Sequence, residues 1–116
     1  MGIDKRKYIR FDTTIKIKYK LGGSAWIDGS SVCNDIAMEG MRLDVSVNMP
    51  NGTLLDIELY LATEDRPVSV TAQTAWCRQL SNKEDKAKRF EAGVRFLNFM
   101  PDDKNRLTSF LSKLHG

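Results

Sequence analysis

Two arginines four residues apart lie near the start of the chain, in the segment Arg6-Lys7-Tyr8-Ile9-Arg10. A planar guanidinium group donates paired hydrogen bonds to phosphate oxygens, and it fits the O6 and N7 edge of guanine equally well. It also stacks on the face of a purine. Taken alone, the segment is better explained as a solvated basic tail, so a binding function depends on a second motif.

A polar turn at residues 34–40 is the second candidate. The Asp35 carboxylate can accept hydrogen bonds from the N1–H and N2–H₂ edge of guanine, and Gly40 would let a ligand approach the backbone closely. The alternative is a β-turn in which Asp35 bonds local backbone and Gly40 supplies a positive φ. Arg42 follows on the outward face of a predicted strand, where it either reaches a phosphate or stays solvated.

The sequence offers little for catalysis. The only histidine, His115, is one residue from the C-terminus, where fraying is expected. No His, Cys and carboxylate spacing suits a metal, and no Walker or GxGxxG loop is present. Asp102 and Asp103 are better explained as the start of a helix than as a catalytic pair. We therefore predict neither an enzyme nor a bound metal or cofactor.

The 116 residues suffice for one domain, and a composition of 41% hydrophobic and 28% charged residues is ordinary for a globular protein. Residues 1–20 hold seven basic and two acidic residues, a net charge of +5, whereas the remaining 96 residues hold 11 basic and 13 acidic residues and are net negative. The positive charge concentrated at one end indicates an anionic partner there. We see no apolar leader and no membrane-length apolar stretch. These features predict a cytoplasmic protein without membrane contact, in which Cys33 and Cys77 stay reduced.

Period-two alternation predicts about six strands, and a change of period predicts a final helix. The clearest strand is 14–21, and the strand starting after Pro67 places Trp76 in phase with Val68 and Val70. Leu107, Phe110, Leu111 and Leu114 form one helical stripe after Pro101. The fold class is therefore mostly β, a six-stranded antiparallel barrel with a C-terminal helix. We assign residues 1–12 to a mobile basic arm, 13–99 to the barrel and 101–114 to the helix.

The two motifs together resemble the PilZ domain family, whose signature is RxxxR before the first strand and [D/N]xSxxG between the second and third strands. Arg6 and Arg10 match the first part, and Asp35, Ala37 and Gly40 fall on the second, with Ala37 where serine is expected. The segments at residues 74–78 and 91–96 also resemble later strands of the family. The resemblance covers essentially the whole chain.

The resemblance implies a receptor for cyclic di-GMP. Arg6 and Arg10 would hold guanine edges and phosphates, Asp35 would hold a guanine edge, and Gly40 would leave room for the ligand. Lys5 stands where the family often has arginine, so the resemblance does not decide whether one or two ligands bind. Trp76 is either buried in the barrel or an aromatic beside the ligand base, and Arg42 is a further candidate.

The expected output is a change in shape and surface charge, which an unidentified effector protein would recognise. One alternative is a PilZ-like adaptor that does not bind cyclic di-GMP, which Ala37 favours mildly and RxxxR disfavours. Another is a nucleic-acid-binding barrel, which needs exposed aromatics beside the basic residues. The first strand offers only Tyr19, on its apolar face, so nucleic acid is the least favoured partner.

Overall fold

Residues 14–21 alternate between the interior of the molecule and its surface, as their pattern predicts. In the computed structural model, which describes residues 14–32, 35–61, 66–80 and 89–115 (side chains to residue 113), Ile15, Ile17 and Tyr19 are buried and Lys16 is exposed. Burying one such apolar side chain contributes about 1.5–3 kcal/mol relative to leaving it in water. Because a one-residue slip would turn every side chain to the opposite face, this alternation fixes the register of the strand.

The strands close into an antiparallel barrel in which each strand pairs with two neighbours. Going around the barrel the order is β1-β2-β3-β6-β5-β4, and the helix follows β6. This confirms the predicted fold, a six-stranded antiparallel barrel with a C-terminal helix. The elements are β1 (Thr14–Leu21), β2 (Ile27–Val32), β3 (Gly40–Val45), β4 (Leu54–Tyr60), β5 (Val68–Gln79), β6 (Phe90–Phe99) and α1 (Asp103–His115).

A β-bulge in β5 changes which side chains face the core. Thr74 pairs with Val94 on β6 but Trp76 pairs with Gly93, so Ala75 is an extra residue in β5. The added residue reverses the alternation. Thr74, which precedes the extra residue, is buried. The side chain of Trp76, which follows it, faces outward and is 40% exposed. The prediction that Trp76 is in phase with Val68 and Val70, with burial in the barrel as one outcome, was wrong because it assumed an unbroken strand.

Asp103 anchors α1 to the start of β5 and is only 1% exposed. Its carboxylate accepts hydrogen bonds from the Ser69 backbone N–H at 2.9 Å and from Arg106 Nη1 at 2.9 Å. Arg66 Nη1 lies 3.5 Å away, and Arg106 also donates to the Pro67 carbonyl oxygen at 3.1 Å. The sequence predicted a helix start at this point but missed the buried ion pair. The helix begins at Asp103, two residues after the predicted start.

Candidate functional site

Residues 35–40 of the second sequence motif lead directly into β3. The Ala37 backbone N–H donates to the Gly40 carbonyl oxygen at 2.9 Å, and Ile36 forms an isolated β-bridge with Met41. The Phe96 backbone N–H donates to the Glu39 carbonyl oxygen at 2.8 Å, which ties the loop to β6. These backbone bonds hold residues 36–40 at the edge of the barrel, directly after Asp35.

Gly40 lies against the backbone of β6, with which it is paired. A Cβ at this position would come within 2.1 Å of the Val94 carbonyl oxygen and 3.2 Å of the Arg95 Cα. Among the described glycines, positive φ occurs at Gly22 and Gly52 and not at Gly40. The alternative that Gly40 supplies a positive φ was therefore wrong, because its backbone is that of a strand. Packing of β3 on β6 is what requires glycine here.

Asp35 and Arg42 form an ion pair on the outer face of the barrel. Arg42 Nη2 lies 2.9 Å from Asp35 Oδ1 and 3.0 Å from Oδ2. The hydrogen bond to Asp35, reinforced by the charges of Asp35 and Glu91, raises the pKa of the Arg42 guanidinium above its ordinary value. Arg42 is thus paired with Asp35, in contrast to the alternative of a freely solvated arginine.

Glu91 on β6 links this pair to a second arginine. Glu91 Oε2 lies 3.5 Å from Arg42 Nη1, while Glu91 Oε1 accepts from Arg78 Nε at 2.9 Å and Nη2 at 2.7 Å. Its side chain is 13% exposed, so the carboxylate is largely shielded by the two arginines. Asp35, Arg42, Glu91 and Arg78 therefore form a continuous chain of alternating charge across β3, β6 and β5.

The indole of Trp76 packs against Gly93, in the middle of the same face. A Cβ at Gly93 would meet the indole Nε1 at 2.2 Å and Cε2 at 2.5 Å, so only glycine leaves room for the ring. Strand pairing places Gly93 between Arg42 on β3 and Trp76 on β5. The Arg78 guanidinium carbon lies 5.9 Å from the indole centroid, within range of a cation–π contact. The remaining exposed surface of the indole is a platform on which a planar base could stack.

A cleft of about 310 Å³ adjoins the charged chain on the side of β1 and β2. Its lining includes Asp35, Arg42, Asp44 and Glu91 together with the hydroxyl groups of Ser30 and Thr14. The site is therefore a polar groove bordered by carboxylates, arginines and hydroxyls. Such a surface offers hydrogen-bond donors and acceptors to a polar ligand.

The structure describes five of the eight predicted site residues. Asp35 and Arg42 are in contact, Gly40 lies at the base of the same loop, and Ala37 is exposed in that loop. Trp76 is on the same barrel face. The other three predicted residues, Lys5, Arg6 and Arg10, lie outside the described residues.

Three contributors were missed by sequence reasoning: Glu91, Gly93 and Arg78. A signal for the first two was present, because Phe90, Ala92 and Val94 alternate inward and so turn Glu91 and Gly93 outward. Arg78 lies on β5, beyond the bulge. Only the bulge in β5 and the strand pairing bring it to Glu91 and Trp76.

Within the described ranges, no three or more His, Cys, Asp or Glu side chains are grouped so that they could hold a metal ion. Of the part of the chain that the structure describes, no helix has the length and apolar character needed to cross a membrane.

Solved structures with the same fold cover nearly all of this chain. MrkH from K. pneumonia in its apo state matches with a TM-score of 0.73 at 17% identity, over 99% of this chain and 52% of that one. The inhibitor of motility MotI/DgrA from Bacillus subtilis matches with a TM-score of 0.67 at 17% identity, over 95% and 51%. The chain thus spans about half the length of these two proteins. At such identities the likeness establishes the fold.

The PilZ domain of YcgR from Escherichia coli, solved with c-di-GMP, matches with a TM-score of 0.64 at 18% identity. The match covers 96% of this chain and 92% of that one. No sequence among the curated proteins matches the chain. The sequence profile of the PilZ domain matches residues 4–113, which is nearly the whole length. The chain therefore belongs to the PilZ domain family.

Proposed function

We propose that the protein is a receptor for cyclic di-GMP that has no reaction of its own and signals to an effector protein. The observation that carries the proposal is the shared outer face of β3, β6 and β5. On it, the Asp35 carboxylate supplies an acceptor for a guanine edge, and the exposed indole of Trp76 supplies a stacking surface. Membership of the PilZ family and the c-di-GMP in the YcgR domain support the same ligand.

In this proposal the basic residues and Asp35 recognise different parts of the ligand. Arg6 and Arg10, with Lys5, neutralise the two phosphates, while Asp35 selects guanine. On the described part of the face, the carboxylates of Asp35 and Glu91 offset the charges of Arg42 and Arg78. A dianionic ligand therefore needs positive charge from elsewhere, and the basic residues of 1–10 supply it. The surface with its bound ligand is what an effector would recognise.

Substituting alanine for Arg6, Arg10 or Asp35 should lower the affinity for cyclic di-GMP about tenfold or more. Each change removes a charge-assisted hydrogen bond or a base-edge pair, on the scale of about 1.5–3 kcal/mol. Calorimetric titration of the wild type and the three variants measures affinity and also the number of bound ligands. A variant that binds like the wild type would show that its residue is not in the site.

A nucleic-acid-binding barrel is the second candidate, and one feature of the structure favours it more than the sequence did. Lys16 lies 5.7 Å from the ring of Tyr60, and Lys20 lies 4.8 Å from the ring of Trp26, so aromatic rings do accompany the lysines of β1. Strand pairing also places carboxylates beside the lysines of β1, including Asp56 opposite Lys20. These carboxylates would repel a phosphate backbone, which keeps this candidate second.

The Asp35→Ala variant separates the two candidates. A guanine site loses affinity for cyclic di-GMP, whereas a phosphate-tracking surface binds a single-stranded oligonucleotide equally well or better once the carboxylate is removed. Titrations with both ligands at low and physiological salt distinguish them. Oligonucleotide binding that improves in the variant, with no dinucleotide binding by the wild type, would favour the nucleic-acid candidate.

Ala37→Ser should tighten the binding of cyclic di-GMP by about threefold to tenfold, because the serine restores one hydrogen bond that the family pattern supplies. The side chain of Ala37 is exposed and its backbone N–H is already bonded to Gly40, so the loop accepts the hydroxyl without rearrangement. Thermal unfolding of the ligand-free variant is the control and should match the wild type. Weaker binding by the variant would mean that the loop holds the ligand differently.

A further inference from the structure

The ion pair between Asp35 and Arg42 uses the atoms that a guanine edge would use. Arg42 Nη2 is almost equidistant from the two Asp35 oxygens, at 2.9 and 3.0 Å, so it lies between them. The guanine edge presents N1–H and N2–H₂ as two adjacent donors, one for each oxygen of a carboxylate. Both arrangements need the lone pairs on the same side of the carboxylate. Arg42 and a guanine base therefore exclude each other at Asp35.

A second acceptor for Arg42 is already in place. Glu91 Oε1 is engaged by Arg78, and Glu91 Oε2 lies 3.5 Å from Arg42 Nη1. The guanidinium thus sits between two carboxylates and is bonded closely to only one of them. A small rotation of the Arg42 side chain would exchange the bond to Asp35 for a full bond to Glu91.

We propose that Arg42 is a built-in competitor for the base site, bound to Asp35 in the empty protein and transferred to Glu91 when a guanine edge takes Asp35. Glu91 is then a positioning residue, which acts on the ligand by holding Arg42 away from Asp35. The inference rests on the proposed function, because it assigns a regulation of that same site. The exchange also means that the Asp35 carboxylate always has a hydrogen-bond donor, which is Arg42 in the empty protein and guanine in the complex.

The proposal predicts that removing the charge of Glu91 changes the affinity for cyclic di-GMP in the direction opposite to the one that simple electrostatics predicts. Cyclic di-GMP carries two negative charges, so removing the nearby charge of Glu91 should by itself tighten binding. If Glu91 receives Arg42, its removal leaves Arg42 on Asp35 and weakens binding instead. Glutamine suits the test because its side-chain oxygen has the same position and can still accept from Arg78.

Glu91→Gln should weaken the binding of cyclic di-GMP about two- to fivefold, the range that one exposed ion pair provides. Asp28→Asn is the matched control, because Asp28 is an exposed carboxylate on β2 that does not line this cleft, and the variant loses the same charge. This control should bind equally well or more tightly. Calorimetric titration at physiological salt measures all three proteins.

A double-mutant cycle with Arg42→Gln shows whether Glu91 acts through Arg42. In the Arg42→Gln background, Glu91→Gln should no longer weaken binding, because no competitor remains to be moved. If Glu91→Gln binds as well as the wild type, or weakens binding equally in both backgrounds, the inference is wrong while the proposed function stands. A wild type that does not bind cyclic di-GMP would overturn the proposed function and this inference together.

Discussion

Replacing Gly40 with alanine should lower the free energy of unfolding of the ligand-free protein by about 2–3 kcal/mol, the upper part of the range for overpacking a well-packed contact. The new Cβ would lie 2.1 Å from the Val94 carbonyl oxygen, and the obstructing atom is backbone in a paired strand rather than a flexible side chain. To make room, β3 would have to separate from β6 beside the loop that carries Asp35. Urea denaturation of the protein without ligand measures the loss.

Gly23→Ala is the control for the Gly40 variant. A Cβ at Gly23 meets no atom within 4 Å, so the same substitution there should change the free energy of unfolding by less than about 0.5 kcal/mol. The pair of variants separates two reasons for a glycine in the motif. If Gly40→Ala is as stable as Gly23→Ala but no longer binds cyclic di-GMP, then the glycine serves the ligand and not the fold.

Asp103→Asn should lower the free energy of unfolding by about 2–3 kcal/mol. The carboxylate is 1% exposed, and it accepts from Arg106 and from the Ser69 backbone N–H while Arg66 lies nearby. An amide in its place keeps one acceptor oxygen but removes the negative charge that the half-buried guanidinium of Arg106 faces. Loss of one partner from a buried pair costs about 3–5 kcal/mol. Because asparagine keeps one acceptor oxygen, the expected loss lies at the lower end of that range or below it.

Asp102→Asn provides the same change of charge one residue earlier. Asp102 is exposed and has a φ of 71°, a left-handed conformation that asparagine tolerates as well as aspartate does. This variant should stay within about 0.5 kcal/mol of the wild type, and thermal unfolding should show the Asp103 variant melting roughly 10 °C lower. Equal losses in both variants would mean that the helix start needs acidic charge in general rather than a buried anchor at Asp103.

The candidate site was predictable from the sequence only where the signal is local. Asp35, Gly40 and Arg42 lie within eight residues, so one motif and one strand pattern locate them together. The contact between Asp35 and Arg42 was not predictable, because it depends on the curvature of the loop between β2 and β3. The role of Gly40 was misassigned for a similar reason, since its close neighbour Val94 is on a strand more than fifty residues away.

The sequence by itself determined the strand alternation, the helix and hence the barrel. Period-two and period-3.6 patterns show directly which face of a strand or helix is apolar. Burial of that face is the main contribution to the stability of the fold. Only the tertiary structure decided which outward side chains meet. The extra residue at Ala75 turns Trp76 from the core onto Gly93, and the pairing of β6 with β3 and β5 places Glu91 between Arg42 and Arg78. Contacts across strands depend on register and on bulges, which are set by the packing of the whole barrel and leave no periodic trace along the chain.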